Sequence, residues 1–134
     1  FTLPYSPQES STILVVDGNP QITEIYQRYL IDTNYTAISV TDISQIEGNA
    51  LQLKPFAIIL DLILPDQDGW DVFHMLKNNP ETEHIPILIC SIKDETEKAL
   101  ELGAADYLKK PILDEDLQKA LHQIQQDLSV NEDS

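Results

Sequence analysis

Cysteine, basic side chains and long apolar runs are all scarce in this chain of 134 residues, and each scarcity excludes a class of protein. The single cysteine, Cys90, lies inside an apolar run and is typical of a buried core thiol in a reducing compartment. Eight basic against 23 acidic residues give a formal net charge of −15, which argues against nucleic acid or an anionic membrane as a partner. No stretch approaches the roughly 18 apolar residues of a membrane span, and no signal peptide is recognisable. We therefore expect a cytoplasmic domain with no direct membrane contact.

Glycine is also rare, with four in the chain, and the absence of a glycine-rich phosphate loop sets aside nucleotide-binding folds. The apolar fraction of 42% is nevertheless enough for a proper core, so we expect one domain that needs neither disulfides nor oligomerisation to fold. Residues 1–10 show no period and are predicted to be a linker or the end of a preceding domain. The domain itself is expected over residues 11–128, followed by a disordered acidic tail over 129–134. Because the chain opens on Phe1, we expect it to be a piece of a longer protein.

Short apolar runs alternate with helix-length segments, a pattern typical of a parallel sheet covered by helices on both faces. Asn19 is a candidate cap for the first helix, with Pro20 at its first position, and Gly103 is a natural end for the fourth. The five strand–helix units predict an α/β fold of the flavodoxin-like, three-layer type, with a five-stranded parallel sheet of order 2-1-3-4-5 and five helices. The predicted strands lie at 13–16, 35–40, 56–60, 87–90 and 107–109, and the predicted helices at 20–30, 44–53, 70–78, 94–102 and 114–128.

Four of the predicted strands stop on chemically reactive side chains. These are Asp17, Asp61, Ser91 and Lys110, in chain order. The carboxyl ends of parallel strands border one crevice, and the order 2-1-3-4-5 places its switch point between the strands that end at Asp17 and Asp61. Two acids, a hydroxyl and an amine in one crevice are typical of a site that handles phosphoryl groups. A second acid would be natural after Asp17, but Gly18 stands there instead.

These residues resemble the motifs of one family, the receiver domains of two-component response regulators. The resemblance covers roughly residues 12–128 and depends on five motifs in the right order. They are Ile13-Leu14-Val15-Val16-Asp17, Asp61 with Pro65 and Gly69, Ser91, Leu102-Gly103-Ala104-Ala105-Asp106, and Tyr107-Leu108-Lys109-Lys110-Pro111. The resemblance implies a signalling domain that is phosphorylated, and not an enzyme in its own right.

In such a domain Asp61 would be the phosphoacceptor, which takes its phosphoryl group from a phosphohistidine in a phosphorelay. Lys110 would supply a fixed positive charge, and Ser91 a hydroxyl that binds a phosphoryl oxygen. Tyr107 matches the family's aromatic switch residue, which turns inward when the serine hydroxyl moves toward the phosphoryl group. The Lys110-Pro111 peptide bond is cis in the family. The implied partners are a histidine kinase core domain, a histidine phosphotransfer domain, or both.

Gly18 is the serious departure from the family, whose members normally have an acid there that binds Mg²⁺ directly. The resemblance leaves Asp17, Asp61 and the main-chain carbonyl of Ile63 as metal ligands. Disturbing groups that merely support metal ligands costs roughly 10–100-fold in affinity, so weak Mg²⁺ binding is predicted. A second departure is that the stretch between Ser91 and Gly103 is about three residues shorter than in most receivers. This would remodel the fourth helix, a surface that many receivers use to dimerise, so a weak homodimer stays open.

Phe1-Thr2-Leu3-Pro4 looks like the closing strand of a histidine-kinase ATP-binding domain. We therefore expect the C-terminal receiver of a hybrid sensor histidine kinase, whose parent protein could be membrane-bound. The main alternative is a degenerate receiver that docks on its kinase without using phosphate, which Gly18 favours. A third alternative, an aspartyl-phosphate hydrolase of the haloacid dehalogenase type, needs an acid two residues after the nucleophile, where this chain has Ile63.

Overall fold

The protein forms a five-stranded parallel sheet in the order β2-β1-β3-β4-β5, which confirms the predicted fold class. The computed structural model describes residues 11–40 and 42–133, so the predicted linker at 1–10 lies outside the described residues. The strands are β1 (Ser11–Val16), β2 (Tyr35–Val40), β3 (Ala57–Asp61), β4 (Ile87–Ser91) and β5 (Asp106–Lys109). The helices are α1 (Gln21–Tyr29), α2 (Ile46–Leu53), α3 (Gly69–Lys77), α4 (Thr96–Glu101) and α5 (Asp114–Asp133). A 3₁₀ turn, Ile43–Gln45, leads into α2.

The central strands are apolar throughout because helices cover both faces of the sheet. Every residue of β3 and β4 is buried, in contrast to the half-exposed β2 at the edge. Alternate residues of each strand enter two separate core clusters. One cluster combines Leu14 and Ile58 with helix residues such as Phe73 of α3, and the other combines Ile13 and Ile59 with Tyr26 of α1 and Leu117 of α5. This rigid sheet holds the ends of β1, β3, β4 and β5 in fixed positions.

Short-range polar contacts lie at the beginnings of two helices, α1 and α3. α1 begins at Gln21, one residue later than predicted, and the Asn19 side chain accepts a hydrogen bond from the Gln21 amide at 3.0 Å. At α3 the Asp68 carboxylate accepts from the Trp70 amide at 2.9 Å, so this predicted turn residue is the helix cap.

The glycine that follows the α3 cap is required by a close backbone approach. A Cβ atom on Gly69 would lie 2.4 Å from the Leu62 Cα and 2.6 Å from the Asp61 carbonyl oxygen. Only glycine therefore lets the start of α3 pack against the loop that follows Asp61.

The fourth helix is short, as its sequence predicted, and is tied to α3 by an aromatic contact. It has six residues and is followed by Gly103, whose φ of +100° lies in the left-handed region. The Lys98 ammonium lies 4.6 Å from the centroid of the Trp70 ring, and Trp70 packs edge-on against Phe73 with centroids 5.6 Å apart. The indole ring of Trp70 therefore mediates the contact between α3 and α4.

Helix α5 reaches into the range 129–134, where the sequence predicted an acidic tail. α5 continues to Asp133, because no glycine or proline interrupts the chain between Asp114 and that residue. Beyond Ile124 no side chain that the structure describes in this helix is buried, and Leu128, predicted on its apolar stripe, is 38% exposed. The helix therefore extends past the core that its first half covers. No helix in the described ranges is long and apolar enough to cross a membrane.

Candidate functional site

Lys110 joins the two acids at the carboxyl ends of β1 and β3. Its ammonium nitrogen lies 2.7 Å from Asp17 Oδ2 and 2.7 Å from Asp61 Oδ2. The carboxylates are nearly enclosed, with side-chain exposures of 5% and 8%, and the lysine side chain is 20% exposed. The structure thus brings together three residues that the strand ends predicted to meet. We call this cluster of Asp17, Asp61 and Lys110 the ion triad.

Backbone amides hold the other carboxylate oxygens of the ion triad. Asp17 Oδ1 accepts from the Asn19 amide at 2.8 Å, and Asp61 Oδ1 accepts from the Ile63 amide at 2.9 Å. Each carboxylate therefore has both oxygens occupied, one by a main-chain donor and one by Lys110. The main-chain donors fix the orientation of the two acids independently of the lysine.

The ion triad keeps Lys110 charged. Burial lowers the pKa of the Lys110 ammonium, but the hydrogen bonds to Asp17 and Asp61 outweigh burial and raise the pKa above its ordinary value. The lysine follows β5 directly, and its amide donates to the Ser91 carbonyl at 2.9 Å. The Lys110-Pro111 peptide bond is cis, as in the family that the sequence resembles.

Ser91 and Tyr107 meet through the backbone of Lys93, in the loop between β4 and α4. Ser91 is fully buried, and its Oγ accepts a hydrogen bond from the Lys93 amide at 3.2 Å. Tyr107 is buried as well, and its hydroxyl donates to the Lys93 carbonyl. Sequence reasoning missed this role of Lys93, because the groups that make the contacts belong to the main chain and have no sequence signature. The loop therefore links the predicted hydroxyl to the predicted switch residue.

Gly18 lies on the exposed rim of the site, beside the loop that connects β3 to α3. A Cβ atom at this position would lie 2.8 Å from Pro65 Cδ and 3.1 Å from Pro65 Cγ. Gly18 and Pro65 also line a cleft of about 410 Å³, together with Asp17, Asp66 and other residues. Ile63 projects its side chain outward from the same loop and is 47% exposed. Pro65 therefore packs directly against the one position where a metal-binding acid is missing.

The residues of this site do not fit a tightly bound Mg²⁺. Within the described ranges no group of three or more histidine, cysteine, aspartate or glutamate side chains is arranged to hold a metal ion. Mg²⁺ requires near-ideal octahedral coordination by oxygen, and Asp17 and Asp61 supply only two carboxylates. Both of these already bind the Lys110 ammonium. The three histidines, His74, His84 and His122, are exposed surface residues, as predicted.

Comparisons with known proteins identify the family. The model of the response regulator receiver domain matches residues 13–122. A probable cyclic di-GMP phosphodiesterase of Vibrio cholerae is 32% identical over 105 residues, which are 75% of this chain and 23% of that protein. The response regulator PleD of Caulobacter vibrioides is 33% identical over 108 residues, which are 78% of this chain and 24% of that protein. The chain thus spans about a quarter of the length of these two relatives.

A solved structure supports the same assignment. A sensor protein from Polaromonas sp. JS666 superposes with a TM-score of 0.75 at 26% identity, covering 85% of this chain and 94% of that one. Receiver domains are signalling domains that interact with histidine kinases or phosphotransfer proteins. They generally bind Mg²⁺ at an acidic phosphorylation site. With its family match, its strand order and the ion triad at its strand ends, this chain belongs to the response regulator receiver domains of two-component signalling.

Proposed function

We propose that this receiver accepts a phosphoryl group from a phosphohistidine onto Asp61 and passes it on in a phosphorelay. The observation that carries this proposal is the position of Asp61. Its carboxylate lies at the end of the central strand β3, held by the Ile63 amide at 2.9 Å and by Lys110 at 2.7 Å. A nucleophile that is pre-oriented in this way loses little freedom when it reacts.

In the proposed step an Asp61 oxygen attacks phosphorus and forms an acyl phosphate. The P–N bond of phosphohistidine breaks, and its electron pair returns to the imidazole nitrogen. Negative charge on the transferring phosphoryl oxygens needs fixed positive charge and donors. Lys110, which hydrogen bonds to Asp61 before the reaction, supplies the charge, and the Ser91 hydroxyl supplies a donor once it turns away from the Lys93 amide. Tyr107 senses this change, because its hydroxyl binds the carbonyl of the same Lys93.

The proposed partners are a histidine kinase core domain and a histidine phosphotransfer domain. We propose that this domain is the C-terminal receiver of a hybrid sensor histidine kinase, and the similarity to a sensor protein from Polaromonas supports a place within a sensor protein. The short α4 suits that context, because it alters a surface that free-standing receivers use for dimerisation. A cytoplasmic location and a weak homodimer stay predictions. So does weak Mg²⁺ binding by Asp17, Asp61 and the Ile63 carbonyl.

A second candidate function is a docking module that never carries phosphate. Two observations favour it, the glycine at position 18 and the pairing of both carboxylates with Lys110. In that case Asp61 and Lys110 would only stabilise the fold. The two functions differ in whether Asp61 ever forms a covalent bond to phosphorus.

The test is intact-mass spectrometry after incubation with acetyl phosphate, with and without a phosphorylated histidine kinase core. We expect wild type to gain one hydroxylamine-labile phosphoryl group and Asp61→Asn to gain none. Asp66→Asn, which removes an exposed acid from the neighbouring loop, is the matched control and should behave as wild type. If the mass of wild type stays unchanged with both phosphoryl donors, the phosphoacceptor function is rejected. The docking module is then the function that remains.

A further inference from the structure

We infer that the cleft beside the ion triad is a docking site for an arginine side chain, and that the protein which donates the phosphoryl group carries this arginine. The inference rests on the proposed function, because it names how the donor is held at the same edge of the sheet. Its basis is a cleft with an apolar lining whose charged side chains are all acidic.

The cleft lies where the loops after β1, β2 and β3 meet, and ligands of parallel sheets commonly bind at the carboxyl ends of the strands. Its volume of about 410 Å³ is within the range of roughly 300–1,000 Å³ that is usual for binding pockets. The apolar lining includes the buried side chains of Val40 and Leu64 and the exposed rings of Pro20 and Pro65. Gly18 adds no side chain that would fill the space. The cleft therefore has room and apolar surface for a long, unbranched side chain.

The charges that line the cleft favour a basic occupant. They belong to Asp17, Asp42 and Asp66, and no basic side chain lines the cleft among the residues that the structure describes. The Lys110 ammonium contacts Asp17 alone of these three. The net charge of −15 adds a negative field that attracts cations. Charge complementarity therefore favours a basic side chain over an apolar or acidic one.

Asp42 is the carboxylate that is already held in place for such a contact. Its Oδ1 accepts hydrogen bonds from the Ser44 amide at 3.0 Å and from the Ser44 hydroxyl at 2.6 Å. Its Oδ2 accepts none within the described part of the chain and is left for a ligand. A guanidinium presents several donors in a planar fork, while its methylene stem packs on apolar surface. The lysine ammonium is more strongly hydrated, so arginine suits an apolar cleft with a fixed acid better.

The position of the cleft identifies the partner. Asp17 lines the cleft and also belongs to the ion triad, where it shares the Lys110 ammonium with Asp61. A protein that brings a phosphohistidine to Asp61 must cover this edge of the sheet, so side chains near its histidine face the cleft. The arginine would therefore orient a protein donor, whereas acetyl phosphate has no such side chain.

The first test is a titration at constant ionic strength, followed by NMR amide shifts. The probe is N-acetyl-L-arginine amide, and its neutral isostere is N-acetyl-L-citrulline amide. We expect saturable shifts at Gly18, Asp42 and Gln67 with the arginine probe, at a Kd in roughly the millimolar range, and none with citrulline. N-acetyl-L-lysine amide should bind more weakly than the arginine probe.

Two variants examine the role of the fixed carboxylate. Asp42→Asn keeps an acceptor for Ser44 but loses the charge, and it should raise the Kd of the arginine probe by about threefold to fivefold. Asp66→Asn is the matched control and should change that Kd by less than about twofold, because no hydrogen bond among the described residues holds the Asp66 carboxylate in place. Circular dichroism establishes that each variant is folded. Equal binding of citrulline or lysine, or an unchanged Kd in Asp42→Asn, would overturn the inference.

The second test identifies the source of the arginine by comparing two phosphoryl donors. With a phosphorylated histidine kinase core below saturation, Asp42→Asn should slow phosphorylation of Asp61 by about threefold or more, through a higher KM. The loss should be smaller with acetyl phosphate. Equal losses with the two donors would overturn the assignment of the arginine to the donor protein. If neither donor modifies wild type while the arginine probe still binds through Asp42, the proposed phosphotransfer is rejected and the arginine site stands.

Discussion

Removing the Lys110 ammonium should destabilise the domain, because it leaves two buried carboxylates facing each other. Asp17 Oδ2 and Asp61 Oδ2 both lie 2.7 Å from the lysine nitrogen, so they are at most twice that distance, or 5.4 Å, apart. At an effective dielectric constant of about 20, two unit charges at this separation repel by about 3 kcal/mol. Breaking a buried ion pair from one side costs a similar amount, about 3–5 kcal/mol. We expect Lys110→Met to lower the free energy of unfolding by about 3 kcal/mol at pH 7.

Urea unfolding, followed by circular dichroism at about pH 7 and about pH 4.5, measures this loss. Near the ordinary carboxyl range one acid of the variant takes up a proton, which relieves the repulsion. The folded variant then binds more protons than the unfolded chain, so its deficit relative to wild type should shrink as the pH falls and grow as it rises. Lys109→Met, at the exposed neighbouring lysine, is the control and should change stability by less than about 0.5 kcal/mol.

A second variant isolates the charge effect from the loss of packing. Lys110→Met/Asp17→Asn removes one of the two facing charges, and it should recover most of the stability that Lys110→Met loses. The reasoning is refuted if Lys110→Met is no less stable than Lys109→Met, or if the loss is the same at both pH values. Failure of the double variant to recover would show that the methylene stem of Lys110, and not its charge, stabilises the site.

Further expectations concern the scaffold, and urea unfolding tests each of them. Gly48→Ala, within α2 and with nothing inside 4 Å of its new Cβ, should stabilise the domain by about 0.5–1 kcal/mol. Gly69→Ala should destabilise the domain by about 1–3 kcal/mol or more, because its new Cβ would lie 2.4 Å from a backbone atom. Equal effects of Gly48→Ala and Gly69→Ala on stability would contradict the structure. Thr82→Val should cost about 1–2 kcal/mol, because the buried Thr82 hydroxyl donates to the Leu76 carbonyl at 2.7 Å. Burial raises the pKa of the Cys90 thiol to about 12, so its contribution to stability is complete below pH 9 and is lost as the pH rises toward 12. Over that pH window the free energy of unfolding should fall less steeply in Cys90→Ala than in wild type, by about 1.4 kcal/mol per pH unit. Equal slopes in the two proteins would refute the raised pKa of the thiol.

The fold and the proximity of Asp17 to Asp61 could be predicted from local patterns in the sequence. Apolar runs such as the one before Asp61 identify buried parallel strands, and the rule for parallel sheets then brings Asp17 and Asp61 to one crevice. Helix ends were less predictable, because they depend on caps and breakers. The absence of glycine and proline after Asp114 was a readable signal that α5 would continue to Asp133, but the polar composition of its end favoured a tail.

The detailed contacts of the site could not be predicted, since they depend on distances between segments far apart in the chain. Lys110 was expected near Asp61, but its equal 2.7 Å contacts to both acids arise from the spacing of three strands. The contact of Pro65 with Gly18 is of the same kind, because the sequence shows both residues and not the gap between them. Lys93 acts through its main chain, where any residue type would present the same two groups.

The position of Trp70 gives this protein a built-in optical reporter. It is the only tryptophan in the chain, and its ring lies on the side of α3 that faces the ammonium of Lys98 on α4. Trp70 is only 8% exposed, and its Nε1 has no hydrogen-bond acceptor among the described residues, so its fluorescence should be emitted at short wavelength. Any displacement of α4 would move a positive charge across the ring and admit water to it. A shift in emission colour and intensity would then follow the movement of α4 in real time, without any attached label.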